Sequence, residues 1–153
     1  MTNRTEIFQL TYVSSLTLAL DDNELLALAE EAQVWNQEHD ITSLLLISDL
    51  YVIQRIEGPE AEVEALFAKL ELDFRHADVI RLEEKRNETR DFPSSAFDFQ
   101  IFTAWMIEHK LPNLIAYLED PLVSDAHREK LQKEVDHFFK IQKELSINPD
   151  LAI

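Results

Sequence analysis

The segment Tyr51-Val52-Ile53-Gln54-Arg55-Ile56-Glu57-Gly58-Pro59-Glu60 puts a primary amide where an apolar side chain is expected. Strand alternation places Val52, Gln54 and Ile56 on one face and Tyr51, Ile53 and Arg55 on the other. A buried amide left unpaired costs about 1–3 kcal/mol, so Gln54 needs a partner. Two more residues share this character. Tyr12 follows Phe8 and Leu10 on one face of a strand pattern running from Ile7 to Val13, and a buried tyrosine hydroxyl needs an acceptor. Asn36 ends a helical stripe of Leu25, Leu28, Ala29 and Ala32, all spaced to share one face. Each has a plain alternative: Tyr12 as a core tyrosine with a local acceptor, Asn36 as a helix-terminal polar residue. The sharper reading is that all three point at something bound between helix and sheet.

Other chemistry has little support. The chain has one glycine and no cysteine. A P-loop, a dinucleotide-binding glycine motif and a nucleophile elbow each need more glycines. Disulfides, thiolate catalysis and cysteine-based metal sites are excluded. The histidines His39, His76, His109, His127 and His137 lack close metal-ligand spacing, and His127 and His137 read as surface residues of one helix. Nothing supports a hydrolase or metal enzyme. The net charge of −16, from 30 acidic and 14 basic residues, argues against nucleic acid and anionic membranes as partners. Met1 to Glu6 lacks the apolar core of a signal peptide, and no apolar run nears the roughly 20 residues of a membrane span. A soluble cytoplasmic protein is the expectation.

The elements that must position these residues follow from periodicity. After the first strand, which Ser14, Ser15 and Thr17 should end, Asp21 or Asp22 caps a helix to about His39. Ile41 to Ser48 is a near-continuous apolar run, read as a central strand. Asp49-Leu50 connects it as a hairpin to the Gln54 strand. Gly58 permits a turn and Pro59 takes the first helical position, opening a helix to about Leu72 with Val63, Leu66, Phe67 and Leu70 as its apolar stripe. A loop of Asp73 to His76 precedes a strand from Val79 to Arg86, with Ile80 and Leu82 inward. A loop over 87–94 leads to a last strand, Ser95 to Ile101, with Phe97, Phe99 and Ile101 on one face. The order predicts an α+β, ferredoxin-like βαββαββ sheet with two helices on one face and a groove between them. Residues 1–101 form this domain. Residues 102–153 form a helical extension packed on it or on a second copy. Its long helix runs from Ser124, a candidate N-cap, to Leu145, with Leu131, Val135, Phe138, Phe139 and Ile141 as its apolar side. A frayed tail from Asn148 to Ile153 is expected.

Together these residues resemble a BLUF domain, a blue-light sensor using bound flavin. The resemblance rests on Tyr12 in Leu-Thr-Tyr-Val-Ser, Asn36 before Ile41-Thr42, Gln54 in Ile-Gln-Arg-Ile-Glu-Gly-Pro, and Arg75-His76 after the second helix. It spans roughly Ile7 to Phe99, and the length resembles the short single-domain members. It implies a flavin, FAD or FMN, lying between the two helices. By resemblance Gln54 bonds the ring near N5 and O4, and Tyr12 bonds Gln54 and donates an electron and proton. Asn36, with Gln37 beside it, binds the pyrimidine edge, and Arg75 and His76 contact the ring edge or the ribityl-phosphate side. Light then rearranges the Tyr12–Gln54–flavin hydrogen bonds without substrate turnover, so the protein is not an enzyme. A homo-oligomer and a downstream protein partner carry the output.

The chain departs from the family pattern in two places. Many members have Trp and Met in the last-strand region, where Ser95 and Phe97 stand here; Trp105 lies further on and is no substitute. Asp40, Ser43 and Leu50 occupy places where glycine is frequent, and Ser43 and Leu50 are expected to crowd the backbone or the ligand path. Two rival readings remain: a BLUF-like interaction module that has lost flavin, and a small enzyme on the same fold.

Overall fold

The structure, a computed structural model, describes residues 6–48, 50–122 and 125–147. The chain divides into two compact units, Met1–Ile101 and Phe102–Ile153.

In the first unit, strands β1 (Ile7–Leu16), β2 (Thr42–Ile47), β3 (Tyr51–Gly58), β4 (His76–Asn87) and β5 (Asp98–Ile101) form one sheet in the order β4-β1-β3-β2-β5. The first four pair antiparallel and β5 adds in parallel beside β2. Helices α1 (Asp22–Glu38) and α2 (Glu60–Glu71) complete the predicted order. Asp21 caps α1 in a capping box: its side chain accepts from the Glu24 N–H at 2.7 Å, and Glu24 accepts from the Asp21 N–H at 3.3 Å. One face of the sheet packs Phe8, Leu10, Tyr12, Leu45 and Ile56 against Leu25 and Ala29 of α1 and Val63 and Phe67 of α2. That core binds both helices to the same side.

Several local expectations are corrected. β1 continues through Ser14 and Ser15 to Leu16, because it is paired on both sides and both ladders carry the serines. Pairing here overrides the weak strand preference of serine. β4 begins at His76, three residues before the predicted start. A register shift between Thr11 and Tyr12 reverses its faces, so that Val79 rather than Ile80 packs on the helix-side core. The last strand is shorter than predicted, with Ile101 64% exposed. Pro59 is the N-cap of α2, one residue before the helix.

Gly58 has a different reason from the one expected. It lies at the end of β3 with no positive φ. A Cβ there would sit 2.7 Å from the Asp40 carbonyl oxygen, so the glycine permits a close backbone approach. The left-handed residue is Asp40, with φ 57, a conformation that aspartate adopts more readily than most. Asp49 and the 148–153 tail lie outside the described residues.

In the second unit, α3 (Ala104–Lys110) is capped by the Thr103 hydroxyl, which accepts from the Met106 N–H at 3.2 Å. α4 (Leu114–Glu119) and α5 (Asp125–Ile147) follow. Asn113 donates to Glu134 Oε2 at 2.6 Å and bonds His127 Nδ1 at 2.8 Å, tying the start of α4 to α5. Leu131, Val135, Phe138 and Phe139 are buried as predicted, but Ile141 is 39% exposed, two residues past Phe139 and off the stripe. The predicted cap, Ser124, lies outside the described residues.

Candidate functional site

The strand register creates the central pair. Tyr12 of β1 stands directly opposite Gln54 of β3, and Gln54 is opposite Leu45 of β2. The Tyr12 hydroxyl donates to Gln54 Oε1 at 2.6 Å. Gln54 Nε2 donates to Ser43 Oγ at 3.3 Å. Ser43 lies on the same face of β2 as Leu45, diagonal to Gln54, and the Asn36 side chain reaches the same hydroxyl from α1 at 3.4 Å. Asn36 Nδ2 also donates to the Ala96 carbonyl at 2.7 Å. A tyrosine, a glutamine, a serine and an asparagine from four elements thus share one hydrogen-bonded chain, and all four are buried. That is the partner Gln54 required.

Tyr12, Gln54 and Asn36 of this chain line a groove between α1 and α2. Leu28 and Ala32 of α1 face it, as do Leu66 and Leu70 of α2, and Val52 and Ile47 contribute from the sheet. Apolar walls with a few convergent polar groups are the usual make-up of a small-molecule site. Asn36 lines the groove, and its Oδ1 accepts no hydrogen bond among the described residues. An acceptor beside two other polar side chains on an apolar floor suits a flat ring with N–H and C=O groups on its rim.

Burial, reinforced by the negative charge of Asp73, pushes the Tyr12 phenol well above its ordinary value of 10.0. Tyr12 is therefore neutral and keeps its proton on the bond to Gln54. His76 also lines the groove. Its Nδ1 bonds the Ser14 hydroxyl at 2.8 Å, and its ring stands edge-on to Tyr12 with centroids 6.2 Å apart. Burial lowers the His76 imidazole below 6.5, with Arg75 adding to the effect and Asp73 opposing it, so the ring is neutral at neutral pH. Arg75 is held by Asp73, with Nε donating to Oδ1 at 3.0 Å and Nη2 to Oδ2 at 2.5 Å. These bonds hold the Asp73 carboxyl below its usual range and raise Arg75.

Of the residues singled out from the sequence, Tyr12, Asn36, Gln54, Arg75 and His76 all line this groove. Gln37 does not; it is exposed and lines an adjoining depression with Asp40, Thr42 and Arg90. Three residues were missed. Asp73 was read only as part of a loop, and Gln33, whose Nε2 donates to the Phe97 carbonyl at 3.1 Å, showed no signal. Ser43 was read as an obstruction, yet it is the junction of the network. Its position two residues from Leu45 on an inward strand face was a usable signal. Among the described residues, no group of three or more His, Asp or Glu could hold a metal ion and no helix is long and apolar enough to cross a membrane.

Fold and site define a small α+β domain with an apolar groove between two helices and a buried amide on its floor. Residues 7–98 match the family model for BLUF domains, sensors of blue light using FAD. The chain belongs to the BLUF family of flavin-binding blue-light sensors. It is 31% identical over 122 residues to a photoactivated adenylate cyclase subunit alpha-like protein of Euglena gracilis, a match covering 78% of this chain and 12% of that protein. The chain thus spans about one-eighth of the length of that relative. Among solved structures, the dark state of the BLUF protein BlrB superposes with a TM-score of 0.61 at 26% identity, covering 84% of this chain and 97% of that one. Klebsiella pneumoniae BlrP1, solved with FMN and cyclic diGMP, superposes with a TM-score of 0.58 at 25% identity, covering 75% of this chain and 35% of that one.

Proposed function

We propose that this chain binds FAD or FMN in the α1–α2 groove and signals blue light by rearranging the hydrogen bonds of Tyr12 and Gln54. The observation that carries the reading is the 2.6 Å bond from the Tyr12 hydroxyl to Gln54 Oε1 on the groove floor. Bound flavin supplies a ring that absorbs blue light and, once excited, accepts an electron and a proton. Tyr12 is the donor, because burial keeps it protonated. Gln54 holds Tyr12 in place and offers its other amide atoms to the ring edge. Asn36 Oδ1 accepts from the pyrimidine edge of the ring, and Phe97 and the leucines exclude water.

Arg75 and His76, which line the same groove, would contact the ring edge or the ribityl-phosphate side. Arg75 is already neutralised by Asp73, and Glu24 and Glu31 lie close enough to raise it further. A phosphate therefore gains little there, and affinity rests on the ring, which FAD and FMN share. Output passes from this cytoplasmic module to a protein partner or a second copy, in keeping with relatives that carry the domain within much longer chains. The strongly acidic charge disfavours nucleic acid and anionic membranes as that partner.

The test is the visible spectrum of protein expressed with flavin and purified in the dark, recorded before and after blue light. A yellow protein with a reversible red shift is expected, and Gln54→Leu should keep the colour and lose the shift. A colourless wild-type protein, or an unchanged shift in the variant, would overturn the reading.

A further inference from the structure

The segment before β5 is attached to the site one carbonyl at a time. The Ser95 carbonyl accepts from the Ser43 N–H at 2.8 Å. The Ala96 carbonyl accepts from Asn36 Nδ2 at 2.7 Å, and the Phe97 carbonyl accepts from Gln33 Nε2 at 3.1 Å. In the reverse direction the Ser95 hydroxyl lies 3.1 Å from the Ser43 carbonyl and 2.6 Å from Asp98 Oδ2, at the start of β5. No side chain of Ser95 or Ala96 lines the groove. Ser43 is the residue that joins Gln54, Asn36 and Ser95.

We propose that Ser43 is a positioning residue that couples the state of the Gln54 amide to the Ser95–Phe97 segment. The inference rests on the proposed role of Gln54 as the rearranging group. A hydroxyl has one proton to donate and two lone pairs to accept with. In the present arrangement Ser43 Oγ accepts from Gln54 Nε2 and Asn36 Nδ2, and its own proton has no acceptor among the described residues. If the Gln54 amide reverses, Oε1 faces Ser43 and Nε2 faces Tyr12. Ser43 then donates to Gln54, and the Tyr12 oxygen accepts in place of Oε1. Both orientations therefore keep a hydrogen bond at each end of the Gln54 amide: the proton without an acceptor is that of Ser43 in the present arrangement and that of Tyr12 in the reversed one, and Ser43 changes from double acceptor to donor-acceptor. A hydroxyl that donates is a stronger acceptor, because hydrogen bonds in a chain polarise one another. Asn36 Nδ2, shared between Ser43 Oγ and the Ala96 carbonyl, shifts toward Ser43. The Ala96 bond weakens, and the segment leading into β5 feels the change.

A serine with only a structural role predicts none of this coupling. The readout is the backbone carbonyl chemical shift of Ala96 by NMR, followed in two arms. In the apoprotein, without light, Gln54→Leu removes the donor to Ser43 and should move the Ala96 signal. In a Ser43→Ala background the same substitution should leave that signal where it was. In the flavin-loaded protein, Ser43→Ala should lose the light-induced movement at Ala96, and Ser43→Thr, which retains the hydroxyl, should restore it. Additive effects of Gln54→Leu and Ser43→Ala in the apoprotein overturn the coupling. So does a light response at Ala96 that survives in Ser43→Ala. If the wild-type protein takes up no flavin, the photoreceptor reading fails while the apoprotein arm still decides whether Ser43 couples the two sites.

Discussion

Removing the Tyr12 hydroxyl isolates the interaction on which the site depends. Tyr12→Phe keeps the ring among its core neighbours, where Tyr12 is 1% exposed, and deletes one oxygen. The donor to Gln54 Oε1 is lost, and Gln54 is 3% exposed with no alternative donor to that oxygen from the described residues. An orphaned buried acceptor costs about 1–3 kcal/mol. Gln54→Leu makes the mirror-image defect, because the buried Tyr12 hydroxyl then has no acceptor, at a cost again of about 1–3 kcal/mol. Ser43 loses one of two donors in that variant but keeps Asn36. In the double variant two apolar groups face each other and neither orphan remains. Its loss of stability should therefore fall short of the sum of the single losses by about 2–6 kcal/mol, the two orphan costs together. Urea denaturation of the apoproteins at neutral pH measures all four corners of the cycle. Agreement with the sum to within about 0.5 kcal/mol would refute the argument that these two groups satisfy each other.

Two further outcomes are expected. Gly58→Ala should destabilise the first unit by about 1–3 kcal/mol, as overpacking does, since its Cβ would meet the Asp40 carbonyl at 2.7 Å and Arg90 Nη2 holds that same oxygen at 2.8 Å; unchanged urea midpoints would show that the strand end can shift freely. His76 should titrate below 6.5 in NMR of the folded protein, because burial disfavours its charged form. The unfolded chain then takes up the proton first, so stability falls as pH drops below about 6.5 toward the folded value; a midpoint at or above 6.5 would contradict the burial argument.

The residues of the candidate site were legible because polar groups on apolar faces are conspicuous under strand and helix periodicity. Gln54 between Val52 and Ile56, Tyr12 after Leu10, and Asn36 at the end of the α1 stripe all stood out in this way. The element order followed from the same periodicities and predicted the sheet. Boundaries were less legible. The strand β1 outran its prediction because pairing on two sides holds Ser14 and Ser15, a long-range effect that local preference does not contain. The face of β4 was misread because the irregularity opposite Thr11 and Tyr12 has no local marker such as glycine.

By itself the sequence determined which side chains had to be satisfied in the interior, that they belonged to one α+β domain, and, through its motif, that the domain resembled a flavin photoreceptor. Only the tertiary structure decided who satisfies whom. Register set Tyr12 opposite Gln54. The crossing of α1 over the sheet brought Asn36 to Ser43, and the return of the chain after β4 laid the carbonyls of Ser95, Ala96 and Phe97 against Ser43, Asn36 and Gln33. Periodicity specifies the face on which a side chain lies, whereas a hydrogen bond also needs a distance and a direction, and those are set by packing between segments far apart in the chain. For that reason Ser43 read as a misplaced glycine in the sequence and stands at the junction of the network in the fold.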